Sequence, residues 1–105
     1  MLKTKNYIEH RSVKKLVKNP DNPFKNIEDG NFVRLLKSIE KVGILEPVIV
    51  REVGDKYEII SGQRRFEAAK ILGYKTVPTI IYEVNKDEAT VLTVDSNLTF
   101  SEVRE

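Results

Sequence analysis

The pentapeptide Ser61-Gly62-Gln63-Arg64-Arg65 lies between an apolar strand-like run, Tyr57 to Ile60, and a helix-like run, Phe66 to Leu72. A strand that turns at a glycine into a helix opening with two arginines gathers backbone N–H groups, the positive end of the helix dipole and two guanidinium forks around one point. A point of that kind holds an anion, and phosphate suits it best. The alternative use of the same arginines is a surface ion pair with Glu67 or Glu58. Gly62 precedes a helix and suits close approach of a ligand to the backbone.

Those residues must be positioned by a small scaffold. The chain of 105 residues fits one domain with one modest core. It has no cysteine, which excludes disulfides, a thiolate nucleophile and cysteine-based zinc sites, and its single histidine, His10, excludes a histidine cluster. Any metal is therefore expected to be a hard cation on oxygen ligands. No apolar run reaches transmembrane length, and Met1 to Asn6 lacks the apolar segment of a signal peptide, so a cytoplasmic address without a membrane partner is expected. The formal net charge of +2 is too small to indicate nucleic acid by itself. Lys3, Lys5, Arg11, Lys14, Lys15, Lys18 and Lys25 are nevertheless crowded near the N-terminus. Residues 1–12 read as a basic, flexible arm before a domain at 13–105, and Lys14, Lys15 and Lys18 are the candidates for DNA phosphates, against a plainly solvated arm.

Val13 to Val17 reads as a short strand, and Asn19-Pro20-Asp21-Asn22-Pro23 as a loop stiffened by proline. From Asp29 as N-cap, Phe32, Leu35, Leu36, Ile39 and Val42 recur at helical spacing, the first four as core residues, and Gly43 supplies the exit. Pro47 to Val53 and Tyr57 to Ile60 flank Gly54-Asp55-Lys56 as a hairpin. A second helix is expected from Gln63 to Leu72 with Gly73 after it, a strand from Val77 to Val84, and a third helix opened by an Asn85/Glu88 capping box. Alternating elements of this kind form an α+β domain around a mixed sheet.

Four blocks, in order, resemble the N-terminal domain of the ParB partition proteins: Asn19 to Lys25, Leu36 to Val50, Tyr57 to Ala69, and Val77 to Ile81. The resemblance covers nearly all of the chain from Val13 onward. It implies the ParB/sulfiredoxin fold and, for ParB proper, a CTP-binding, slowly CTP-hydrolysing switch by which a dimer clamps onto DNA at the nucleoid or a plasmid. The family's usual Gly-Glu-Arg-Arg segment wraps the triphosphate. Gly62, Arg64 and Arg65 carry over as phosphate ligands with Ser61 and Gln63 beside them, although Gln63 replaces the family's glutamate. A second family block, usually Glu-Asn-Leu-Gln-Arg, is associated with magnesium and the triphosphate. It matches Ser96-Asn97-Leu98-Thr99-Phe100, which keeps Asn97 and loses the glutamate and the arginine.

Magnesium favours hard oxygens, ideally with a carboxylate. Asp95, in a variant that resembles plasmid and mobile-element relatives, is therefore the candidate ligand beside Asn97, although a helix neighbour of Ser96 points about 100° away from it. An ordinary helix end is the alternative reading for both residues. Gln63 and Asp95 are the candidate catalytic groups, and the two lost acids imply slow hydrolysis. Gly43, Ile44, Leu45 and Glu46 match a block that lines the base and sugar. The family often has glutamine or threonine where this chain has Glu46, which leaves base preference open.

The leading function is thus a CTP-binding switch, with magnesium, in a DNA partition or plasmid or chromosome segregation protein that self-associates at full length. Sulfiredoxin places its catalytic cysteine where this chain has Gln63, so that chemistry is excluded. A metal-dependent nuclease, or a relative acting as a kinase, ranks lower because Asp95, Glu46 and Glu58 form no recognisable constellation. An interaction module without nucleotide is the third class. The family's operator-reading helix-turn-helix would start soon after Asn97, so the chain to Glu105 is expected to be an excised domain or a short relative, with only sequence-indifferent DNA attraction.

Overall fold

The sheet is built from two edges supplied by one short stretch of chain. In the computed structural model, residues 3–4, 7–18 and 30–94 are described, with side chains over 7–18 and 30–91. Strands β1 (Lys3–Thr4), β2 (Glu9–Ser12) and β3 (Leu16–Val17) precede helix α1 (Gly30–Val42). Then come β4 (Val48–Val53), β5 (Lys56–Ser61), α2 (Gln63–Ile71), β6 (Thr76–Glu83) and α3 (Lys86–Val94). The sheet order is β1-β6-β4-β5-β3, with β2 also on β6. Pairing is antiparallel for β4–β5, β1–β6 and β2–β6, and parallel for β4–β6 and β3–β5, which makes the mixed α+β sheet expected.

Residues 9–12, assigned from sequence to a flexible arm, are therefore a strand: Glu9 to Ser12 pair with Thr79 to Thr76. Val13 to Lys15 form a 3-10 turn in place of the expected strand, capped by the Ser12 hydroxyl and tied to the residue before β6 by the Val13 N–H, which donates to the Lys75 carbonyl at 3.0 Å. Four strand spacings separate β2 from β3 in sheet order, about 19 Å if the sheet were flat. Ser12 to Leu16 can span at most about 14 Å. The sheet therefore curls so that its two ends meet at residues 12–16. Arg11 marks the closure. Its guanidinium donates to Thr79 Oγ1 at 2.6 Å and Glu9 Oε1 at 2.7 Å, and its centre stands 5.1 Å from the centroid of the Tyr57 ring on the far strand.

Strand alternation divides the core between two faces. Val48, Val50, Ile59, Val77 and Ile81 meet Leu16 and the α2 residues Phe66 and Ala69 on one side. Ile49, Ile60, Ile80 and Tyr82 meet Ala89 of α3 on the other. Helix α1 packs on α2 through Phe32, Ile39 and Ala68, with Leu35 and Leu36 partly buried beside them, as their spacing predicts. The hairpin turns at Gly54-Asp55, and the capping box forms in both directions, each Asn85–Glu88 hydrogen bond being 2.8 Å. Asp29, the 19–25 loop, Asp95, Ser96, Asn97 and Phe100 lie outside the described residues. No helix among the described residues is long and apolar enough to cross a membrane.

Candidate functional site

The β5–α2 turn and the α1–β4 loop, selected separately from sequence, lie against each other. The β4–β5 register slips by one residue between Ile49 and Val50, which pairs Ser61 with Ile49 and carries the chain into Gly62 over β4. Gly62 has φ 100° and ψ 23°, and a Cβ placed there would stand 3.2 Å from Val48 Cα. Left-handed backbone and contact with β4 both require glycine, so protein packing accounts for this residue without a ligand. The Phe66 N–H closes the first turn on the Gly62 carbonyl at 3.0 Å. On the other side, the Gly43 N–H and the Tyr74 hydroxyl both donate to the Ile39 carbonyl, at 2.8 and 3.2 Å. Those bonds end α1 and fix where the chain departs toward Glu46.

The N-termini of α2 and α3 are built in opposite ways. Helix α3 has Asp87 and Glu88 in its first turn and a side-chain cap. Helix α2 has a glycine cap with no side-chain acceptor, no acid in its first turn, and Arg64 and Arg65 there instead. Cations at the positive end of a helix are unfavourable by about 0.3–1 kcal/mol each when exposed. An anion over this turn reverses the sign of that cost.

Arg65 is the link between the two segments. Its Nη1 donates to the Pro47 carbonyl at 2.5 Å and the Glu46 carbonyl at 3.3 Å, and its Nη2 stands 3.7 Å from the Glu46 carboxylate. Burial lowers the Arg65 pKa from its ordinary value, and the charge of Glu46 acts the other way. Neither partner foreseen for the arginines is the one Arg65 takes: Glu58 pairs across the hairpin with Arg51 at 2.8 Å, and Glu67 belongs to another group. Sequence could not show the Glu46 contact, because 19 residues separate the two and no local period relates them. Arg64 and Ser61 are half-buried on the same turn.

Gln63 turns inward. Its side chain is buried, and its amide donates to Glu67 Oε2 at 2.8 Å. Lys18 reaches the same oxygen at 3.4 Å, and Lys70 approaches Oε1 at 4.0 Å. What Gln63 offers the turn is thus its backbone. Lys18 is committed to Glu67, whereas Lys14 and Lys15 are exposed. In the α1–β4 loop, Ile44 packs into the core between α1 and the sheet, Leu45 is exposed, and Glu46 faces Arg65.

Among the described residues no group of three or more His, Cys, Asp or Glu is placed to hold a metal. Glu46 is the carboxylate that faces Arg65, and Glu67 is already bonded to Gln63. These side chains alone do not fit a magnesium ion, whose octahedral shell needs several hard oxygens.

Residues 2–98 match the profile of the ParB N-terminal domain. A nucleoid occlusion protein from Halalkalibacterium halodurans is 37% identical over 86 residues, covering 82% of this chain and 30% of the relative. The chain thus spans under a third of that relative's length. The C-terminally truncated chromosome-partitioning protein ParB from Caulobacter crescentus, solved with CTP-gamma-S, superposes with a TM-score of 0.77 at 28% identity, over 89% of this chain and 53% of that one. The same protein solved with the centromeric parS site gives 0.70 at 28% identity, over 85% and 46%. Sulfiredoxin from Arabidopsis thaliana gives 0.67 at 29% identity, over 82% and 96%. The fold therefore has its counterpart in these solved structures, and with a profile match over nearly the whole sequence the chain belongs to the ParB N-terminal domain family.

Proposed function

We propose that this domain binds a ribonucleoside triphosphate, CTP first, where the β5–α2 turn meets the α1–β4 loop, and that binding switches the state of a DNA partition protein in the cytoplasm, at the nucleoid or a plasmid. The observation that carries this reading is the first turn of α2, in which two arginines and no acid stand where acids are preferred. An anion resolves that conflict, and the loop that Arg65 holds is the one the family resemblance gives to base and sugar. The relationship to a ParB solved with CTP-gamma-S supports CTP as the first triphosphate to try.

In this reading Arg64, the outer edge of Arg65 and the backbone of Gly62 and Gln63 receive the phosphates, Arg65 also orders the 43–47 loop, and magnesium arrives on the nucleotide. Bound magnesium neutralises phosphate charge; Asp95 and Asn97 are the residues proposed to meet it. DNA contact by the whole protein, and its self-association, belong to the same proposal. One observation favours an interaction module instead: Gln63 and Arg65 are both engaged by protein groups.

Calorimetric titration with each of the four ribonucleoside triphosphates, with and without magnesium, separates the two readings. Saturable binding strongest for CTP is expected. Loss of one charge-assisted phosphate contact is worth roughly 1.5–3 kcal/mol, so Arg64→Ala should weaken binding about tenfold or more. No saturable heat with any of the four nucleotides would leave the interaction module standing.

A further inference from the structure

We propose that Glu46 is an internal counter-anion that competes with a ligand's phosphate for Arg65 and so lowers the affinity of this site for polyphosphate. The inference rests on the nucleotide-binding reading above and adds a residue that sets its strength.

Three observations carry it. Arg65 Nη1 is engaged by the Pro47 and Glu46 carbonyls, so an incoming anion is left with the Nη2 and Nε edges of the fork. Glu46 Oε1 stands 3.7 Å from that Nη2, inside ion-pair range and outside hydrogen-bond range. The guanidinium is sheltered while the carboxylate is exposed, their side chains being 18% and 54% accessible.

The arginine is thus fixed by main-chain groups, and its charge is balanced by a carboxylate that can swing away. A phosphate reaching Nη2 must displace Glu46 or sit beside it, and two anions a few ångströms apart repel. Glu46 faces solvent and is not required to hold Arg65, because the carbonyl bonds do that. Its charge can therefore be removed without disturbing the fold.

The test uses the isosteric E46Q variant of the 105-residue chain. Affinities for CTP and for inorganic tripolyphosphate are measured by calorimetry at low and at physiological salt, without magnesium. Removing one like charge beside the phosphate is expected to tighten both by about threefold to tenfold at low salt, and by less at higher salt, as screening requires. If the wild type binds and E46Q binds equally or more weakly, the inference falls and the nucleotide reading stands. If only E46Q binds, the inference holds and Glu46 closes the site fully under these conditions. If neither chain binds either ligand, both fall. An equal gain at both salt concentrations would also overturn the inference, because the effect would then not be electrostatic.

Discussion

Arg11 and Arg65 are both sheltered arginines held by protein groups, with side chains 11% and 18% accessible, yet they are held differently. Arg11 has a hydroxyl at 2.6 Å, a carboxylate at 2.7 Å and an aromatic ring beneath its charge. Its counter-charge is hydrogen-bonded, and its partners come from β2, β6 and β5, the strands whose curl it completes. Arg65 is bonded to two carbonyls of one loop, and its carboxylate is a full ångström farther away than that of Arg11, at 3.7 Å against 2.7 Å. A charge-assisted bond at hydrogen-bond distance is roughly twice as strong as a neutral one, whereas a partly exposed ion pair is worth about 0–1 kcal/mol. Arg11 is consequently a closed structural contact. Arg65 keeps a replaceable partner on its outer edge. In the proposed nucleotide reading, what separates Arg65 from Arg11 is the looseness of the counter-charge, and not exposure.

The sharpest way to break this contrast is Arg11→Ala. The substitution removes two short hydrogen bonds, one of them to a charged group, and uncovers the seam between β2 and β3. Urea denaturation should show a loss of about 2–3 kcal/mol, while the affinity for CTP of the chain that remains folded stays unchanged. A stability loss under half a kilocalorie would mean that Arg11 does not close the sheet.

Arg65→Ala should give the reverse pattern. Its removal releases the Pro47 carbonyl near the surface, a cost of about 1 kcal/mol, and weakens triphosphate binding about tenfold through the lost cation and the loosened 43–47 loop. Calorimetry and denaturation on the same variant check both halves. Unchanged affinity alongside a loss of stability would reduce Arg65 to a second Arg11.

The smallest effect concerns lysines. Lys14 and Lys15 are exposed, and Lys18 is paired with the sheltered Glu67. Weak binding of random-sequence duplex DNA by the 105-residue chain should therefore lose up to about one unit of log-log salt slope for each of Lys14→Ala and Lys15→Ala, and less for Lys18→Ala. Fluorescence anisotropy across a salt series measures this, and equal slopes for all three variants would show that pairing does not distinguish these lysines.

Some of this molecule was already present in local pattern. The apolar period of α1, the Gly43 and Gly73 exits with φ 84° and 82°, the Asn85/Glu88 box and the Gly54-Asp55 hairpin all depend on residues within a few positions of one another. Their physics is short-range, and sequence alone determined them. The glycine–arginine turn was legible for the same reason, as was the membership of its residues in one strand-turn-helix. Tertiary structure decided which side chains that turn presents. Gln63 sits one position before Arg64, but the first turn of α2 directs it into the core against Glu67, and no pattern in the pentapeptide reveals this. The N-terminal stretch looked like a solvated arm because lysines and arginines surround it, and its strand exists only through pairing with Thr76 to Thr79, more than 60 residues later. Arg11 likewise finds its hydroxyl 68 residues away, and Arg65 its carbonyls 18 and 19 residues back. Contacts at such separations are set by how the sheet curls and how helices pack, so the pairing of cations with counter-charges was decided by the fold.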